Sequence, residues 1–148
     1  MEDFVPFELA VKLKEKGFKE LCLAYYDVLD NVGILYNTQY TDDFSPCQYT
    51  DLLFSHNSGE GKQTDDSEYC VDAPTISQVL KWLRKEKDMY IEIFLYNGTY
   101  SYIVKSITKI SEDDYFHQCL NEDTTDMEYE NYEDATLAGI EYALDNLI

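Results

Sequence analysis

Basic residues are scarce in this chain. Lys and Arg total 11 against 30 Asp and Glu, so the formal net charge is -19 over 148 residues. The deficit is local as well as global. From Glu112 to Asp134 there are ten acidic residues and no basic one, and from Asp42 to Asp72 eight acidic residues stand against Lys62 alone. Such a surface repels nucleic acid and anionic membrane and attracts basic surfaces. Nucleic-acid binding calls for a basic stripe interleaved with aromatics; the 14 Tyr supply aromatics, but the stripe is missing. Long apolar runs are missing too, and none approaches the roughly 18–20 residues that cross a bilayer. The opening MEDFVPFELAVKLKEKGF has no basic start followed by an apolar stretch, so it does not read as a signal peptide. A soluble cytoplasmic protein is expected. The four cysteines, Cys22, Cys47, Cys70 and Cys119, form no CxxC pair, and in that compartment they read as reduced thiols, mostly buried.

Catalytic and cofactor motifs are also lacking. There is no GxxxxGK[ST], GxGxxG or GxSxG, and Gly59-Glu60-Gly61-Lys62 has neither the spacing nor the following Ser or Thr of a phosphate loop. His117 and Cys119 project from one side of a strand, but His56 is the only other imidazole, whereas structural zinc takes four ligands, usually in two close pairs. Cys119 near His117 also invites a cysteine-nucleophile reading; a core thiol beside a surface imidazole is the preferred one. Asn121, Asp123 and Thr125 match the first ligands of an EF-hand-like loop. Asp126 then stands where the turn needs Gly, and Tyr132 where a bidentate Glu belongs. No metal, no cofactor and no catalytic residue is expected, and the chain reads as a non-enzyme.

What is present is a foldable body. The chain is 45% hydrophobic and 15% aromatic, too apolar for a disordered acidic chain, and its length suits a single domain spanning 1–148. A first helix is expected over Phe7–Lys16, with Leu9, Ala10 and Leu13 inward and Gly17 as its stop. Lys12, Lys14, Lys16 and Lys19 then form a solvated helix end. Leu21–Asp27 and Ile34–Tyr36 read as a hairpin around Asp30-Asn31-Val32-Gly33, and Asp51–Ser55 as a further strand. The polar stretch His56–Ser67 reads as a mobile loop. Thr75 and Gln78 match a capping box before a helix over Ile76–Lys87, with Ile76, Val79, Leu80 and Leu83 on one stripe. Tyr90–Tyr96 alternates, with Ile91, Ile93 and Leu95 on one face. Asn97-Gly98 suits a type I′ turn, and Thr99–Ile107 returns. A last helix over Tyr132–Leu147 is capped by Asn131 and buries Leu137, Ile140, Leu144 and Leu147. VKLKEKGFKELCLAYY and LKWLRKEKDMYIEIFLY both run helix into strand, a hint of internal duplication. The order points to an α+β fold: an antiparallel sheet of about four strands, in two hairpins, with helices packed on one face.

Three stretches, FVPFELAVKLKEKGFKELCLAYYD, APTISQVLKWLR and YEDATLAGIEYALDNLI, cover a little over a third of the chain. On them the chain resembles a family of small uncharacterised proteins of gut Bacteroidota, their phages and integrated elements. The resemblance implies a mobile-element setting in a bacterial cytoplasm and transfers no functional residue. Together with the charge it leads to an acidic protein-interaction module, phage-related, whose partner is a protein with a basic surface, such as a nucleic-acid-binding host protein. The acidic segment near 112–130 supplies the candidate binding residues Asp113, Asp114, Glu122, Asp123, Glu128 and Glu130. The alternatives are a small enzyme with an acid-lined cleft and a self-assembling structural protein.

Overall fold

The computed structural model describes residues 3–29, 32–37, 54–55, 60–61, 70–121 and 128–148. The chain divides into two compact units, Met1–Thr75 and Ile76–Ile148.

The first unit starts with α1, Phe7–Glu15, which buries Leu9, Ala10 and Leu13 as the periodicity predicts. Its stop is also as expected. Gly17 takes a φ of 86°, Gly17 N donates to Lys14 O at 3.1 Å, and Phe18 N donates to Leu13 O at 2.9 Å. This pair of bonds satisfies the last carbonyls and needs a left-handed residue at Gly17. Of the lysines expected to form a solvated helix end, Lys14 is not merely solvated: its Nζ donates to the Cys70 carbonyl at 3.1 Å. β1 (Ala24–Leu29) and β2 (Val32–Asn37) form the expected hairpin, paired from Ala24↔Asn37 to Leu29↔Val32. β1 begins three residues later than the apolar run Leu21–Asp27 implied. β3 (Phe54–Ser55) pairs with β4 (Glu60–Gly61). The rest of the expected strand at Asp51–Ser55 and of the expected loop at His56–Ser67 lies outside the described residues. β5 (Cys70–Asp72) adds to the free side of β1, giving the order β2-β1-β5. The segment before α1 is tied down by Val5 N donating to Pro74 O at 3.0 Å and by Tyr26 Oη donating to Val5 O at 2.7 Å.

The second unit contains α2 (Ile76–Glu86), β6 (Met89–Tyr96), β7 (Thr99–Lys109), β8 (Tyr115–Cys119) and α3 (Tyr132–Asn146). Asn97 and Gly98 carry φ values of 51° and 88°; this is the pair of positive values that a two-residue type I′ turn requires. β6 and β7 pair from Met89↔Ser106 to Tyr96↔Thr99, and β8 completes the order β6-β7-β8. That register puts Ile91, Ile93, Tyr102 and Val104 on one face, where with Ala143 of α3 they form a cluster. Trp82, Leu83, Ile140 and Leu144 are buried, and each large apolar side chain so placed contributes about 1.5–3 kcal/mol. Leu137 is half-buried. Leu95 continues the inward alternation but is exposed, because it stands at the hairpin end.

The α+β class and antiparallel pairing are as expected, with one difference. The two hairpins do not share one sheet; each recruits a third strand of its own, β5 or β8. The hint of duplication fails at the same point. The first strand of the hairpin is central in one sheet and the second strand is central in the other, so the two halves differ in topology.

The Asn131 cap gives a first prediction. Its Oδ1 accepts from Asp134 N at 2.7 Å, and its Nδ2 donates to Asp134 Oδ2 at 2.8 Å. Asn131→Ala should cost about 1 kcal/mol in chemical denaturation, and Asn131→Asp, which keeps the acceptor, much less. Equal losses from both would show that the cap acceptor contributes nothing.

Candidate functional site

Of the six acidic candidates, Glu122 and Asp123 lie outside the described residues; Asp113, Asp114, Glu128 and Glu130 are all exposed. The structure does not gather these four into one patch. Asp113 and Asp114 sit in the turn between β7 and β8, where Ile110 N and Ser111 N both donate to Asp114 O, at 2.9 and 3.2 Å. Glu128 and Glu130 are placed by the residue between them. Tyr129 exchanges backbone hydrogen bonds of 2.9 Å in both directions with Tyr100, near the start of β7. Its ring turns inward to within 6.2 Å of the Tyr102 ring, and the two flanking carboxylates are left outside. Tyr100 and Ile110 stand near opposite ends of the strand, so at ~3.3 Å per residue the two pairs are roughly 30 Å apart. That exceeds the ~8 Å screening length at physiological salt several-fold. They are two acidic patches, not one.

Glu128 and Glu130 have further acids beside them. Glu133 and Asp134 lie in the first turn of α3, where carboxylates complement the helix dipole, which accounts for those two structurally. Every described acid from Glu112 to Asp145 is exposed.

The tyrosines behind this surface are structural. Tyr102 is 2% exposed, with the Tyr129 and Tyr142 rings each 6.2 Å away. Burial, and then the neighbouring Tyr129, Tyr142 and Glu141, push its phenol up to about 12. It stays neutral and serves as packing.

The thiols correct one expectation. Cys22 and Cys70 are buried, but Cys119 is exposed, so it is no core thiol. Cys119 and His117 both lie on β8, whose five residues are all exposed; among the described residues β8 has a strand neighbour on one side only. Burial, with Asp72 and Glu20 nearby, pushes the Cys22 thiol up and keeps it protonated and inert. Cys47 and His56 lie outside the described residues. Among the described residues, no three His, Cys, Asp or Glu stand close enough to hold a metal ion.

Asn121, which opens the incomplete EF-hand-like pattern, has its side chain engaged within the sheet. It is 3% exposed. Its Oδ1 accepts from Val104 N at 2.7 Å, and its Nδ2 donates to Tyr102 O at 3.4 Å. The carboxamide thus continues the ladder where β8 stops pairing. Asp123, Thr125 and Asp126 lie outside the described residues. Asn121→Ala should cost about 1–3 kcal/mol for each buried backbone group it strands, read as a lowered denaturation midpoint. An unchanged midpoint would mean that water or another group replaces the amide.

Sequence reasoning missed two features: the buried carboxamide of Asn121 and the strand Tyr115–Cys119 as a sheet edge. The uncharged run Tyr-Phe-His-Gln-Cys between acidic flanks was the available signal. No helix among the described residues is long and apolar enough to cross a membrane. Comparison of the chain with protein-family models, curated proteins and solved structures finds no match.

Proposed function

We propose that this chain is an acidic protein-interaction module that engages a basic surface of another protein in the bacterial cytoplasm. The observation that carries this reading is the run from Ile110 to Ile148, which contains no Lys or Arg and whose described carboxylates are all exposed. Exposed charges of one sign on a folded body raise the encounter rate with an opposite surface and reject wrong partners. A nucleic-acid-binding host protein presents such a surface, because its own ligand is a polyanion, and spaced carboxylates meet the same cations that phosphates meet. The resemblance to proteins of phages and integrated elements supports a host-directed target. Binding to basic host proteins, followed by stopped-flow association with wild-type and charge-neutralised chains at low and high salt, tests the reading. Association indifferent to both salt and neutralisation would sink it.

A further inference from the structure

Among the described residues, β8 has an uncovered edge. It is the terminal described strand of its sheet, with β7 on one side only, and in an antiparallel pair successive residues alternately face and turn away from the neighbour. Leu120 N donates to Val104 O, and Ile110 N donates to Asp114 O. Between these fixed points the register runs Ser106↔Gln118 and Thr108↔Phe116, so Phe116 and Gln118 bond to β7. Tyr115, His117 and Cys119 therefore turn their N–H and C=O groups outward, and no backbone partner for them occurs among the described residues. Proteins usually protect such an edge with Lys, Pro, a bulge or a covering element. β8 has no charged residue and no Pro, its register is one-to-one without a bulge, and all five of its residues are exposed.

Charge decides what fits there. A second copy brings another -19, and net charge of that size holds copies apart. The strand begins beside the exposed Glu112, Asp113 and Asp114. The cations on adjoining β7 are engaged: Lys105 Nζ with Glu92, and Lys109 Nζ over the Tyr115 ring at 6.0 Å. We infer that β8 accepts an extended, cationic segment of a partner protein as a fourth strand. The outward N–H and C=O groups of Tyr115, His117 and Cys119 supply the main-chain bonds, and the acids of the turn select Lys or Arg at the segment's end. Strand addition of this kind draws its affinity from backbone pairing and its specificity from side chains. The inference rests on the reading of the chain as an acidic interaction module and names where and how a partner binds.

The test uses the full chain and a seven-residue peptide of alternating valine and threonine with lysine at both ends, read by fluorescence anisotropy. Two controls carry glutamate ends or N-methyl groups on alternate backbone amides. The lysine peptide should bind, and each control should bind at least about tenfold more weakly. His117→Pro removes an outward N–H and leaves the bonds of Phe116 and Gln118 to β7 in place, so it should cause a similar loss with an unchanged circular dichroism spectrum. If that variant misfolds, Tyr115→Lys with Cys119→Lys, both at exposed positions, should cause the loss by repulsion. Equal binding of the N-methylated peptide, or full binding by the edge variants, would overturn strand addition. Equal binding of the glutamate-ended peptide would overturn the cationic partner. A wild-type dimer in sedimentation that His117→Pro dissociates would also overturn the inference, by giving the edge to a second copy. The two readings fail separately: a salt-sensitive lysine peptide that ignores N-methylation removes strand addition and leaves the acidic module standing.

Discussion

Replacing Asp113, Asp114, Glu122, Asp123, Glu128 and Glu130 with Asn or Gln is expected to slow association with a basic partner about tenfold or more at low salt. The dissociation rate should change less, because long-range attraction acts on encounter rather than on the formed contacts. The formal charge remains strongly negative, since 30 acids stand against 11 bases in the wild type, so solubility and fold should survive. The described members of the set are exposed, and exposed substitutions away from caps and cores stay within about 0.5 kcal/mol. Raising salt from low to physiological should shrink the difference between variant and wild type, because the Debye length falls to about 8 Å. The geometry adds a sharper expectation. Asp113 and Asp114 lie at one end of β7, and Glu128 and Glu130 are pinned beside Tyr100 at the other. Neutralising one pair alone should therefore report the footprint: a partner covering the turn responds to the first pair, and a partner on the α3 side to the second. Association that follows neither pair, with the fold intact, would leave these acids as a solubilising surface only.

Gly139→Leu should leave the second unit unable to reach its native packing. Gly139 is buried in α3, and a Cβ built on it would lie 2.8 Å from Ile91 Cγ2 and 3.2 Å from two ring carbons of Tyr102. Glycine in a helix interior costs about 1 kcal/mol relative to alanine, so on propensity alone Gly139→Ala would be stabilising. The contact decides otherwise. Ile91 is β-branched with a stiff χ1 on a strand paired to Val104, and the Tyr102 ring has the Tyr129 and Tyr142 rings 6.2 Å away. At these distances both side chains would have to shift to admit a Cβ, and overpacking of this kind costs about 1–3 kcal/mol. Gly139→Ala should therefore lower the denaturation midpoint, and Gly139→Leu should abolish the cooperative transition and the near-ultraviolet aromatic signal. A raised midpoint for Gly139→Ala would mean that helix and sheet separate easily, and the close approach would lose its importance.

The chain's local chemistry determined most of its elements. The Asn131 cap, the Gly17 stop, the Asn97-Gly98 turn and the apolar stripes of α1, α2 and α3 all depend on residues within a few positions of one another, so they can be read without knowing the fold. The inward set Ile91 and Ile93 followed from the strand period in the same way. β8 turns straight back along β7, and its uncharged run was a local signal, whereas the recruitment of β5 was decided only in three dimensions, because its partner strand β1 lies far away in sequence and leaves no local pattern. The same holds for Asn121, whose carboxamide matters through Val104 and Tyr102, 17 and 19 positions away. The candidate site divides along the same line. Composition was enough to show that the surface is acidic, since charged groups stay in water unless paired. Only the strand that separates them shows that Asp113 and Asp114 form one patch and Glu128 and Glu130 another. Only the register of β8 on β7 shows that the backbone of Tyr115, His117 and Cys119 faces outward, because the direction of an N–H is set by the strand's neighbour and not by its own side chain.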